Sequence, residues 1–110
     1  MSKVSSHSKK SAPVFAALGC VTRLELLSRL SDGKDYSITE LTAGLDLTRQ
    51  AVTKHLRVLQ HANIVSGRRA GRESRFTIRP GQIAHAKDYL TRISDQWDES
   101  IARLRATVEQ

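Results

Sequence analysis

Between Val52 and Ile78 the spacing of apolar residues changes once, and that change limits the folds open to the chain. In LTRQAVTKHLRVLQ (47–60), Val52, Leu56 and Leu59 recur at i, i+4 and i+7, the spacing of a helix with one buried face. Gln50, Thr53, Lys54, Arg57 and His61 fall on the other side of that helix, a face of amides, hydroxyls and cations with almost no acids. After Ala62-Asn63 the period shortens. Ile64-Val65, and later Phe76 and Ile78, suit two strands joined through Ala70-Gly71-Arg72-Glu73, where Gly71 supplies the positive φ of a tight hairpin. A helix at about 48–61 followed by a basic hairpin at about 64–79 has the layout of a recognition helix and its wing.

The upstream segments read as helices that support this unit. Pro13 suits the first turn of a short helix carrying Val14, Phe15, Ala17 and Leu18, and Gly19 ends it. Leu24, Leu27 and Leu30, with Leu26 beside them, form a core helix that stops at Ser31-Asp32-Gly33. Thr39 supplies a hydroxyl cap for a short third helix closed by Gly44, and a turn of three or four residues leads to Thr48, which caps the recognition helix. Residues 1–12, rich in Ser and Lys, read as a disordered basic arm, which leaves 13–110 as one domain.

Charge tells the three parts of the chain apart. Residues 1–46 carry six Lys/Arg and five Asp/Glu, and residues 80–110 carry four and five. Residues 47–79 hold eight cations against Glu73 alone, so one contiguous segment accounts for the whole formal net charge of +7. Such concentration is the footprint of a phosphate-binding surface more than of a merely solvated face. A lone cysteine, Cys20, excludes an intrachain disulfide and a multi-thiolate metal site, which favours a cytoplasmic setting. No apolar run approaches the roughly 18 residues of a membrane span, and the start MSKVSSHSKKSAP lacks the hydrophobic stretch of a signal peptide. The acids are scattered over turns and helix ends, with no nucleophile elbow or glycine-rich phosphate loop, so an enzyme is not expected.

The last segment, about 81–108, bears a stripe of Leu90, Ile93, Trp97, Ile101, Leu104 and Val108 in steps of 3, 4, 4, 3 and 4. At about 1.5 Å per residue such a helix approaches 40 Å, more than so small a core can cover. A symmetric dimer follows as the expectation, with Val14, Phe15, Leu90, Ile93, Trp97, Ile101 and Leu104 at its interface.

From FAALGCVTRLELLSRL through ITELTAGLDLTRQAVTKHLRVLQHANIVSGRRAGRESRFTI to the Trp-containing terminal helix, the chain resembles the bacterial ArsR-type (ArsR/SmtB) winged-helix repressors. The TRQAVTKHLRVL helix and the GR-type wing are the most specific part. The resemblance implies a mainly α (α+β) winged helix-turn-helix of four helices, two strands and a fifth helix, dimeric through its first and last helices. It implies a repressor that binds operator DNA, commonly released by an inducer, whose identity here is unknown.

Carried over by position, the recognition helix and wing contribute Thr48, Arg49, Gln50, Thr53, Lys54, His55, Arg57, Arg68, Arg69, Arg72 and Arg75 to DNA binding. The Gln50 amide suits adenine; arginines suit phosphate or guanine; Thr48, Thr53, Lys54 and His55 suit phosphates near a helix N-terminus. His55 has an equal claim to be a packed residue at the edge of the apolar face. Where metal-sensing members carry paired cysteines, this chain reads ELTAGLDL, and His85 with Asp88 lacks a downstream histidine, so no metal and no cofactor are expected. Cys20-Val21 stands where members usually show Asp-Pro. The thiol is either a small buried filler or a partly ionised redox group near Arg23. Asn63 replaces a glycine and tolerates the left-handed turn. The expected function is a homodimeric regulator of double-stranded DNA on an inverted repeat. The competing readings are a winged-helix module for protein contacts and a non-specific DNA-binding protein.

Overall fold

The computed structural model describes residues 6–109, in the order α1 (Ser6–Leu18), α2 (Val21–Leu30), β1 (Tyr36–Ser37), α3 (Ile38–Thr42), α4 (Arg49–His61), β2 (Val65–Ala70), β3 (Glu73–Ile78) and α5 (Pro80–Glu109). The chain is mostly helical with a small antiparallel sheet in the order β1-β3-β2. The two-stranded wing expected from the sequence has gained a third strand. Tyr36 and Ser37 pair with Phe76 and Arg75, which ties the hairpin to the segment before α3.

The core lies where α2, α3 and α4 meet the sheet. Leu26, Leu27 and Leu30 of α2, Leu41 of α3, and Val52, Leu56 and Leu59 of α4 are all buried, together with Ile64, Val65 and Phe76. Each such side chain contributes about 1.5–3 kcal/mol by leaving water. Leu24, expected on this stripe, is instead 50% exposed. The buried face of α2 runs through Leu26, Leu27 and Leu30, which turns Leu24 and Val21 outward one helical turn apart.

Two helix starts also differ from expectation. Ser37, not Thr39, caps α3: its hydroxyl accepts the Glu40 N–H at 3.1 Å while the Glu40 carboxylate accepts the Ser37 N–H at 3.0 Å. This reciprocal pair satisfies two donors at once, an advantage that Thr39 lacks. The helix then ends at Thr42, so the connection to α4 spans residues 43–48 rather than three or four residues, and Gly44 turns it at φ 78°.

The arm expected over 1–12 is helical from Ser6 onward; residues 1–5 lie outside the described residues. Pro13 therefore sits inside α1 rather than in its first turn. A proline removes one backbone donor, and tertiary packing compensates: Ser11, Val14 and Ala17 are buried where α1 lies along α5. The Phe15 and Tyr89 rings meet there at 5.9 Å between centroids. Val14, expected at a dimer interface, is 1% exposed and belongs to the chain's own core.

Of the 30 residues of α5, Ala86 is the buried one. The helix covers α1 with Ile83 and Ala86, then projects beyond the core and helps give the molecule its 68 Å long dimension. Among the described residues no single helix is long and apolar enough to cross a membrane.

Candidate nucleic-acid interface

Thr48 starts α4 in extended backbone, and its hydroxyl accepts the Ala51 N–H at 3.1 Å. The cap fixes where the helix begins and hence which side chains share its outer face. With Val52, Leu56 and Leu59 buried, Gln50, Lys54 and Arg57 are exposed. Arg49, Gln50, Thr53, Lys54 and Arg57 line a groove of about 510 Å³ that ends at Ile38 of α3. Ile38 also borders a second hollow of about 280 Å³ between α4 and the hairpin, lined by Arg57, Gln60, Arg69 and Ser74 among others. A third, about 240 Å³, adds Arg72. The three make one concave surface from the start of α4 to the hairpin tip. Among the described residues no ion pair or hydrogen bond engages the side chains of Arg49, Lys54, Arg57, Arg69 or Arg72, so their charges face solvent uncompensated.

The hairpin is built as its sequence suggests. Arg68 to Ala70 pair with Arg75 to Glu73, and Gly71 adopts φ 65° in the two-residue turn. Asn63 takes φ 58°, the left-handed conformation expected of it.

Four residues expected on this surface behave differently. Arg75 points away from the groove. Its guanidinium reaches Asp35 at 3.2 Å, Glu40 at 3.1 Å and Glu73 at 3.1 Å, with its side chain 23% exposed. Strand alternation sends Arg75 to the same side as Arg68, toward the loop that carries Asp35. Arg68 shares the Asp35 carboxylate but stays 62% exposed. His55 turns to α2, with Nδ1 3.3 Å from an Arg23 guanidinium nitrogen, which favours the packed reading. Thr53 donates its hydroxyl to the Arg49 carbonyl at 2.7 Å, so it keeps only acceptor capacity and a methyl for a partner.

Asp35, Glu40 and Arg23 are the residues that sequence reasoning missed here. The Arg68 guanidinium first, then that of Arg75, holds the Asp35 carboxyl below its ordinary range. Glu40 is lowered chiefly by the Ser37 backbone N–H, and Arg75 adds to this. No local pattern announces these pairs, since the partners lie 33 to 40 residues apart.

Cys20 occupies the N-cap position of α2 with no side-chain hydrogen bond closing the helix end, and it is half-buried rather than a core filler. The Arg23 backbone N–H in the first turn draws the thiol below its usual range, helped by the Thr22 N–H and the Arg23 charge against partial desolvation. His85 and Asp88 are exposed on α5, and among the described residues no three His, Cys, Asp or Glu side chains are placed to hold a metal ion. Of the expected dimer residues, Phe15 and Ile93 are half-buried, while Leu90, Trp97, Ile101 and Leu104 are exposed.

Comparison with known proteins agrees with this geometry. A family model described as "Bacterial regulatory protein, arsR family" matches residues 20–66, from the start of α2 into the hairpin. The chain is 40% identical over 65 residues to YuzN of Bacillus subtilis, an uncharacterized HTH-type transcriptional regulator, covering 54% of this chain and 71% of that protein. It is 34% identical over 78 residues to the HTH-type transcriptional regulator Rv2034 of Mycobacterium tuberculosis, covering 71% and 72%. The solved structure of an ArsR-like transcriptional regulator from Rhodococcus sp. RHA1 superposes with a TM-score of 0.75 at 35% identity, over 88% of this chain and 91% of that one.

Proposed function

We infer that this chain, which belongs to the arsR family of bacterial regulatory proteins, works as a cytoplasmic homodimeric repressor on an inverted-repeat operator. Its membership makes it a transcriptional regulator with a helix-turn-helix DNA-binding domain. One observation carries the reading toward sequence-specific duplex binding: the outer face of α4 offers the Gln50 amide between unpaired cations, beside a hairpin whose Arg69 and Arg72 are equally unpaired.

In this reading Gln50 meets a base edge in the major groove. Lys54 and Arg57 follow the phosphates on either side, and Arg69 and Arg72 reach the flanking backbone. Two copies joined along α5 set two such helices about one turn of duplex apart, so the operator repeats in inverted order. The half of α5 beyond the core supports the pairing, because among the described residues its apolar Trp97, Ile101, Leu104 and Val108 stay 43% to 83% exposed.

In vitro selection of bound duplexes, followed by anisotropy titration at several salt concentrations, tests this. Gln50→Ala relaxes preference at one position of each half-site, at a cost of about 1–3 kcal/mol there. Arg72→Ala weakens all duplexes evenly and softens the salt slope by roughly one unit per subunit. Equal selectivity ratios for wild type and Gln50→Ala remove Gln50 from the readout; failure to prefer any duplex over random competitor removes the function.

A further inference from the structure

Arg68 and Arg75 face each other across β2 and β3, an arrangement of like charges that is destabilising unless something lies between them. Here the Asp35 carboxylate lies between them and bonds both guanidinium groups. Arg75 also donates to the Asp35 backbone carbonyl at 3.3 Å and pairs with Glu40. Glu40 is at the same time the residue that closes the capping box of α3 on Ser37. One guanidinium thus joins the middle of the hairpin to the start of the helix that packs against α4.

We propose that Arg75, Asp35 and Glu40 are positioning residues for DNA binding: the cluster sets the angle of the hairpin to α4, so that Arg69 and Arg72 reach the phosphates that Gln50 and Lys54 place. The inference rests on the DNA-binding reading above and extends it to residues that touch no DNA. Strand alternation completes the division of labour. Arg75 leans to the Asp35 side, Arg69 leans to the groove beside Arg57 and Ser74, and Arg68 pairs with Asp35 while also bordering that groove. Without the anchor the hairpin keeps its own strand pairing and that of β1 with Phe76 and Arg75, but the part beyond Arg75 loses its ionic tie to Asp35 and Glu40, and its tip is spread over many orientations.

Asp35→Asn separates this from ordinary electrostatics by sign. Deleting an acid beside a polyanion site, and freeing Arg68 in the process, strengthens DNA binding and steepens its salt dependence if charge alone matters. Positioning requires the reverse: affinity falls on the order of tenfold and the salt slope drops by roughly one to two units per subunit, although no cation has been removed. Arg72→Ala, which weakens the wild type, then adds little in the Asp35→Asn background, because the two changes act on one contact. Tighter or unchanged binding by Asp35→Asn, or full additivity with Arg72→Ala, overturns the proposal.

A readout without DNA keeps this apart from the function itself. Backbone order parameters of residues 69–74 fall in Asp35→Asn while those of α4 stay at wild-type values; unchanged order in the hairpin refutes the anchoring. Should α4 lose order as well, Glu40→Gln decides by the same measurements. Its amide oxygen still closes the cap on Ser37 while the charge facing Arg75 is gone.

Discussion

In the proposed dimer, replacing Trp97 with alanine isolates the pairing of subunits from the folding of each. Trp97 lies on the projecting half of α5 and is 66% exposed in the single chain. A tryptophan offers about 200 Å² for burial, so about 130 Å² remains to be covered by a second copy. At 25 cal/mol per Å² that corresponds to about 3 kcal/mol for each subunit and about 6 kcal/mol for a symmetric pair, as an upper bound. The dimer dissociation constant then rises by up to about four orders of magnitude. Alanine is the best helix former, so the loss cannot be charged to unravelling of α5. Sedimentation equilibrium across a wide concentration range, with circular dichroism as the control for helix content, reads the result. Operator affinity falls with it, because two recognition helices are no longer held together. A variant that stays dimeric with the wild-type constant refutes the place given to Trp97, and a monomeric wild type refutes the pairing.

Two stability predictions concern the hairpin. A Cβ at Gly67 would stand 2.9 Å from Cε1 of Phe76, whose ring is buried and lies opposite Gly67 across the sheet, so Gly67→Ala forces ring and strand apart. The expected loss is about 1–3 kcal/mol in urea unfolding at constant m, and a wild-type midpoint refutes it. The Asp35 and Glu40 carboxyls are both held below their ordinary pKa, the first chiefly by Arg68 and the second chiefly by the Ser37 N–H. Their contribution is therefore complete above the unfolded pKa and lost as pH falls through the folded one. Stability holds level near neutrality and declines below roughly pH 4. Asp35→Asn flattens that decline; parallel acid limbs for variant and wild type, measured as urea midpoints against pH, refute the assignment.

The recognition helix and the hairpin were legible because both are governed by short-range rules. Val52, Leu56 and Leu59 fix the buried face of α4, Thr48 caps it, and Gly71 sets the turn, all within a few residues of what they control. The same reasoning failed where the partner is distant. Arg75 looks like a free cation until Asp35 and Glu40 are brought beside it, and the two readings of His55, packed or phosphate-binding, stay level until Arg23 arrives from α2. Strand β1 is two residues long and exists through its pairing with Arg75 and Phe76, so no periodicity could announce it. The helical start of α1 depends on packing against α5, from the other end of the chain. Local composition, rich in Ser and Lys, argued for a loose arm instead.

Arg23 has a mechanical consequence. Its guanidinium bonds the carbonyls of Ala16 and Ala17, where α1 runs out of internal donors, and the same group meets the imidazole of His55 on α4. One side chain thus bolts the end of the first helix to the reading helix, with the corner at Gly19-Cys20 between them. A shift of α1 relative to the body must either drag α4 with it or break this joint, so the two ends of the bracket do not move independently.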